Sequence, residues 1–280
     1  MSNKLSISFE FFPPQTAEGV EKLIATRKQL APLQPEFFSV TFGAGGSTRD
    51  RTLETVTQIQ ADGYSAAPHL SCVGSTRENI RAILQTYKQL GIKRIVALRG
   101  DMPSGMATTG EFEYANELVA FIRAETGNHF HIEVAAYPEF HPQAKSPRDD
   151  LLNFERKVKA GADSAITQYF YNADSYFYFV DECHKLGITL PIVPGLMPIG
   201  KFSQLARFSD ACGAEIPRWI RKTLESYGDD TASIQAFGMD VVAQLGERLI
   251  QGGAPGLHFY TLNQAAPSLE IGKRLGLKNN

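Results

Sequence analysis

Glu10 stands in Ser8-Phe9-Glu10-Phe11-Phe12, a carboxylate with an aromatic ring on each side. Apolar surroundings disfavour the charged form and raise a carboxyl pKa, so such a group can hold a proton near neutral pH and act as a general acid. The alternative is a carboxylate paired with an Arg or Lys from elsewhere in the chain. Asp101 follows Arg99-Gly100 in a turn, where it can cap a helix, pair with Arg99 or serve as a second carboxylate. His69 follows Ala67-Pro68, and a lone histidine there is more often a neutral hydrogen-bonding residue than a metal ligand. His129 and His131 have the spacing of half a metal site, but they precede a strand and read as structural; His141 lies beyond that strand. No His, Asp, Glu or Cys grouping shows convincing metal spacing.

Asp150, Asn153 and Lys157 fall along one face of a predicted helix, next to Arg156. The face is either an ordinary solvated one or a polar strip able to grip a ribose and a pyrophosphate. Lysines are missing from the predicted strand ends, which argues against Schiff-base chemistry. Gly43-Ala44-Gly45-Gly46 follows a strand but lacks the G-x-G-x-x-G spacing of a dinucleotide turn.

The elements that must position these groups form a regular series. Short β-branched or aromatic runs occur at Leu5 to Phe9, Phe37 to Thr41, Ser65 to His69 and Arg94 to Leu98. Others follow at Ile132 to Ala136, Ser164 to Thr167, Ile192 to Pro194 and Leu257 to Tyr260. Each is followed by a helix-length segment, such as Ala17 to Leu30 and Arg77 to Leu90, and Gly91, Gly161 and Gly187 mark helix ends. Alternation of this kind implies a parallel sheet with helical crossovers. Eight units predict a (β/α)8 TIM barrel, with extra helices from about Gly200 to Gly253 near the seventh βα unit. No linker or composition shift divides residues 1–280, so a single barrel domain is expected. A doubly wound open sheet is the competing fold.

Barrel active sites lie where the strands end and the βα loops converge. The predicted strand ends carry Glu10, Thr41, His69, Arg99-Gly100-Asp101, Tyr137-Pro138-Glu139, Gln168 and Tyr260. Polar groups thus recur at one rim. The formal net charge of −2 and pI near 6.3 exclude a nucleic-acid footprint. No apolar stretch reaches the roughly 20 residues of a membrane span, and no secretory leader is evident. Three cysteines without a close pair fit reduced thiols, so a cytoplasmic setting is expected.

The motifs in order resemble those of bacterial methylenetetrahydrofolate reductases. They are FEFFPP at 9–14, SVTFGAGG at 39–46, AAPHLSC at 66–72, VALRGD at 96–101 and VAAYPEFHPQAKS at 134–146. DLLNFERKVKAGA at 150–162, AITQYFY at 165–171, VPGLMPI at 193–199 and HFYTLN at 258–263 continue the series. The resemblance covers essentially the whole chain. It implies a flavoprotein that holds FAD non-covalently, takes hydride from NADH or NADPH, and reduces 5,10-methylenetetrahydrofolate to 5-methyltetrahydrofolate by a ping-pong route that feeds methionine synthesis.

The same resemblance makes Glu10 the acid that opens the folate imidazolidine ring, and Asp101 a carboxylate near flavin and pterin that disfavours anionic reduced flavin. It places Thr41, Phe42, Ala44, His69, Arg99, Gly100, Asp101, Tyr114, Ala115, Tyr137, His141, Ala144, Asp150, Asn153, Arg156 and Lys157 at FAD contacts. Glu10, Thr41, Asp101, Gln168, Gln204, Phe208 and Gln264 fall at substrate contacts. Gln264 stands where a related enzyme carries an Arg thought to contact folate, which puts the glutamate-tail interaction in doubt. A homo-oligomer is implied, and 280 residues leave no room for a eukaryotic regulatory domain. Two other readings keep the same residues. One is a cofactor-free lyase using Glu10 and Asp101; the other is an idle folate- or flavin-binding barrel.

Overall fold

The structure is a computed structural model and describes residues 5–42, 48–101 and 110–277. Its strands are β1 (Ser6–Phe11), β2 (Phe37–Val40), β3 (Ala66–Ser71), β4 (Arg94–Leu98), β5 (His131–Ala136), β6 (Ser164–Thr167), β7 (Ile192–Val193), β8 (Gly195–Leu196) and β9 (Gly256–Tyr260). All the pairings are parallel, in the order β7-β6-β5-β4-β3-β2-β1-β9-β8. The crossover helices are α1 (Ala17–Leu30), α2 (Arg49–Ala61), α3 (Arg77–Gln89), α4 (Ala115–Thr126), α5 (Pro147–Lys159) and α6 (Ala173–Lys185). After β8 come α7 (Phe202–Cys212), α8 (Arg218–Tyr227) and α9 (Thr231–Gln251), and α10 (Ala265–Arg274) follows β9. The expected barrel and its extra helices are therefore present. Gly91, Gly161 and Gly187 all take positive φ just past helix ends, the conformation glycine adopts without a Cβ penalty.

One element departs from expectation. The seventh strand, expected as Ile192 to Pro194, is two short pieces separated at Pro194. Proline has no N–H to give a ladder, so the chain changes partners there. Before it, β7 pairs with β6 through Ala165↔Ile192; after it, β8 pairs with β9 through Gly195↔His258. The Pro194 carbonyl still accepts the His258 N–H at 3.0 Å. The two ends of the sheet thus meet at one residue, and the ring closes.

Closure sorts side chains by the two-residue period of a strand. Ile7, Phe9 and Phe11 of β1, Phe38 and Val40 of β2, and Leu257 and Phe259 of β9 belong to the large core cluster shared with helix residues such as Leu23, Leu30 and Ile59. Phe9 stacks on Phe38 and Phe259 at 5.9 and 5.4 Å between centroids. The alternate residues form a separate, small cluster of Phe37, Ala67, Val96 and Ile166, with Leu98 against it. This second cluster is the apolar filling of the barrel. Buried Ser8, Ser39, His69, Glu133, Ser164 and His258 occupy further inward positions.

At the N-terminal end of the barrel, Arg94 pairs with both Glu36 and Glu133 and lies over Phe37 at 4.4 Å. Ser164 donates to Glu133 at 2.6 Å, and His131 Nε2 lies 2.6 Å from the Ser164 hydroxyl. His131 is therefore engaged in a network that plugs the end opposite the predicted site. At the other end Tyr260 crosses the interior, its hydroxyl donating to the Thr167 carbonyl at 2.7 Å. A Cβ at Gly195 would stand 2.4 Å from the Thr167 oxygen and 2.5 Å from the Tyr260 ring. Gly195→Ala should accordingly destabilise the barrel by about 1–3 kcal/mol, the range for overpacking. Chemical denaturation checks this, and an unchanged midpoint would show that the close approach is not required.

Candidate active site

A cavity of about 470 Å³ opens at the C-terminal ends of the strands. Eight of the residues expected at the site border it: Glu10, Thr41, Phe42, His69, Asp101, Tyr137, Gln168 and Phe208. They come from β1, β3, the loops after β2, β4, β5 and β6, and α7. Sequence-distant strand ends thus converge, as a closed parallel barrel requires. The apolar wall includes Val96, Leu98, Ala135 and Ile166, so polar groups here face a partly dehydrated space.

The Glu10 carboxylate is largely buried, its side chain 15% exposed, beside the still more buried His69 and His258. Its Oε2 lies 3.2 Å from His69 Nε2 and 3.7 Å from His258 Nε2. Neither imidazole nitrogen has a well-aligned hydrogen bond, so both contacts are chiefly electrostatic. The other nitrogen of His258, Nδ1, lies 2.7 Å from the Ser8 hydroxyl, which fixes the ring. Burial alone would push the Glu10 carboxyl up, but the adjacent His69 and His258 outweigh it and bring the pKa down to about 2.

This corrects the expectation that aromatic neighbours hold a proton on Glu10. Phe9 and Phe11 are next to it in sequence but point outward, under the helices. The side chains two residues away and across the barrel decide its environment. Glu10 is ionised at neutral pH in the ligand-free protein.

The remaining expected residues lie beyond the cavity wall, several of them in a run leading outward from Tyr137. The Tyr137 and His141 rings meet edge-on at 4.7 Å between centroids, and the His141 N–H donates to Asp150 at 2.9 Å. The Ala144 N–H donates to the His141 carbonyl at 2.9 Å. Half-buried Lys157 donates to the Ala135 carbonyl at 2.5 Å, and its desolvation lowers its pKa to about 8 against the opposing charge of Asp150. Arg156 is exposed and bonds to Asn153. Arg99 bonds to Gln143, and Gly100 packs so closely on Ser71 that a Cβ would lie 1.9 Å from its hydroxyl. Tyr114 and Ala115 begin α4, Tyr114 being exposed.

Gln204 sits one turn before Phe208 on α7, half-buried, and does not border the cavity. Gln264 is exposed at the start of α10, beside the cavity residues Thr261 and Leu262. Ala44, with the Gly43–Gly46 loop, lies outside the described residues. A larger groove of about 920 Å³, between the β5–α5 connection and α6, includes Tyr137 and Asp150 but not Glu10 or His69. It lies outside the ring of strand ends and lacks their convergence.

Sequence reasoning missed Ser8 and His258 as site residues. Both were findable: each stands two residues before a recognised strand-end group, Glu10 or Tyr260, and so shares its inward face. Tyr169 and Cys212 also border the cavity, and the Tyr169 hydroxyl lies 3.1 Å from that of Ser209, tying the β6 loop to α7.

The chain matches the family described as Methylenetetrahydrofolate reductase over residues 1–276. It is 41% identical over 280 residues to the 5,10-methylenetetrahydrofolate reductase of Salmonella typhimurium, covering 99% of this chain and 93% of that one. A maize protein named Methylenetetrahydrofolate reductase (NADH) 1 is 38% identical over 98% of this chain and 49% of its own length. Among solved structures, a Clostridium thermocellum protein described as binding two copies of 5-methyl-5,6,7,8-tetrahydrofolic acid superimposes with a TM-score of 0.69 at 17% identity, covering 98% of this chain and 94% of that one. A Coxiella burnetii dihydropteroate synthase gives 0.54 at 10% identity, over 100% and 95% of the two chains. These two likenesses concern the barrel fold alone. With the motif series, the strand-end cavity and the match along nearly its whole length, the chain belongs to the methylenetetrahydrofolate reductase family.

Proposed function

We propose that this barrel reduces 5,10-methylenetetrahydrofolate to 5-methyltetrahydrofolate with electrons from NADH or NADPH, through FAD held at the strand ends. The observation that carries the reading is the Glu10 carboxylate, faced by two imidazoles at a cavity that Asp101 and Gln168 also border. The residues present fit such a cofactor. The cavity is within the usual size range of cofactor pockets and its walls are largely apolar. The run from Tyr137 through His141 and Asp150 to the desolvated cation Lys157 offers polar partners for ribose and diphosphate. Bound there, FAD supplies the two-electron relay between nicotinamide and folate.

The chain's own work is to bind, shield and move a proton. Ring opening of the folate imidazolidine needs a proton on its departing nitrogen, which otherwise leaves poorly. Glu10 is the group placed to give it, and because the free carboxylate is ionised, the proton must reach Glu10 after substrate covers the cavity. His69 Nε2 and His258 Nε2, 3.2 and 3.7 Å from Glu10 Oε2, are positioned to hand it over. Gln168 and Phe208 border the space where nicotinamide and folate would take turns, consistent with a ping-pong order. The pathway role, feeding methionine synthesis, and a cytoplasmic homo-oligomeric state complete the proposal.

Anaerobic stopped-flow absorbance tests the reading directly: nicotinamide should bleach the flavin, and methylenetetrahydrofolate should restore its colour. In Glu10→Gln the first half-reaction should survive while the second slows by roughly 100-fold or more. Full retention of folate reduction in that variant, or a wild-type protein that binds no flavin, would discard the assignment. Asp101 places a carboxylate where charge would oppose added electron density on the cofactor. Asp101→Asn should therefore raise the flavin midpoint potential by on the order of 30 mV, equivalent to about 1.4 kcal/mol for a two-electron couple. Spectroelectrochemistry reads that shift, and an unchanged potential would remove Asp101 from this role.

A further inference from the structure

Two consecutive residues beside the cavity hold a backbone conformation that most side chains resist. Leu262 and Asn263, just after β9, have φ of 51° and 59°, in the left-handed region. Asparagine tolerates that region and leucine rarely does, so the turn persists only where its surroundings fix it. Three hydrogen bonds tie it to the end of β1. The backbone ladder between β1 and β9 stops at the pair Glu10↔Tyr260. Past it, the Thr261 hydroxyl donates to the Glu10 carbonyl at 2.6 Å, and the Phe12 N–H donates to Asn263 Oδ1 at 2.8 Å. Asn263 Nδ2 returns a bond to the Phe12 carbonyl at 2.9 Å. Asn263 therefore gives Phe12 what a neighbouring strand would have given, one acceptor for its N–H and one donor for its carbonyl. The side chains continue a ladder that the backbone of β9 has left.

Resting on the reductase reading above, we infer that Asn263, with Thr261, is a positioning residue: its amide clamps the Phe12 peptide and so keeps the Glu10 carboxylate between His69 and His258. Glu10 needs that support. It is the last residue of β1 paired with β9, and Pro13-Pro14 just beyond have no N–H to anchor the chain. On the other flank, backbone pairing with β2 continues to Phe11↔Val40, so only the β9 flank depends on side chains. The turn is held in its own right. The Asn263 N–H donates to the Thr261 hydroxyl at 3.1 Å, and the Thr26 hydroxyl of α1 donates to the Asn263 carbonyl at 3.3 Å. A carboxylate 3.2 and 3.7 Å from two imidazole nitrogens has little room to drift. A displacement of about 1 Å at the strand end is enough to cost rate at the reacting centre. Both residues act through Glu10, since neither is required to touch the reacting atoms.

The test uses the flavin-loaded full chain and variants that separate the turn from the clamp. Asn263→Gly permits the left-handed backbone and deletes only the amide. It should slow flavin reoxidation by methylenetetrahydrofolate by roughly tenfold to 100-fold. Flavin reduction by nicotinamide, which needs no proton from Glu10, should be unchanged. Thr261→Val should slow the folate half-reaction by about threefold or more, and Thr261→Ser, which keeps the hydroxyl, should restore it. Carbon-13 NMR of the Glu10 carboxyl reads the positioning without turnover. His69 of β3 and His258 of β9 draw its pKa down, with the neutral Tyr260 alongside, and burial opposes them. Loosening the strand end weakens the imidazole contacts, so the midpoint should rise from about 2 in Asn263→Gly. Equal slowing of both half-reactions would overturn the inference. So would a loss of thermal stability with the Glu10 midpoint and the folate rate unchanged, which would leave the turn a structural fastening only. A wild type that never reduces folate, with the midpoint still rising in Asn263→Gly, would defeat the reductase reading alone.

Discussion

The structure depends on one constraint: strands wound into a closed ring must send alternate side chains to opposite sides. The outward set meets the helices and makes the main core, with Phe9, Phe38 and Phe259 stacked in a row. The inward set has only Phe37, Ala67, Val96 and Ile166 as its apolar cluster, and polar groups take most of the other positions. Closure at Pro194 makes this sorting complete, because no strand edge is left where an inward group could escape to solvent. Stability and chemistry are thereby separated by a single residue step along each strand.

The separation extends along the barrel axis. Glu36, Arg94, Glu133, His131 and Ser164 satisfy one another at the N-terminal end. Truncating one member of such a buried pair leaves an uncompensated charge, so the network holds the strand register as well as closing that end. At the C-terminal end the balance is different. His69 and His258 each leave an imidazole nitrogen without an aligned partner, both turned toward Glu10. A folded protein tolerates such incompletely satisfied groups where a ligand is to meet them.

Much of this was legible in the sequence, because strand and helix periods differ and glycines punctuate the helix ends. All eight strand positions were found, and the rim groups Glu10, Thr41, His69, Asp101, Tyr137 and Gln168 do border one cavity. The seventh strand was read as continuous, since its break depends on which neighbour lies on each side of Pro194. The environment of Glu10 was misread for a related reason. Sequence adjacency to Phe9 and Phe11 suggested an apolar pocket, whereas alternation turns those rings away and brings in His69 from β3 and His258 from β9. Distant pairings of that kind appear only once the ring is closed.

The ionisation of Glu10 therefore tests the account most directly, since it distinguishes an inward carboxylate between two imidazoles from one packed among rings. Carbon-13 NMR of glutamate-labelled protein, with Glu10 assigned by comparison with Glu10→Gln, follows that carboxyl through the acid range in which the protein stays folded. The account predicts a midpoint near 2, with the group ionised throughout the neutral range. A midpoint above the ordinary value of 4.5 would place Glu10 in an apolar pocket and contradict it.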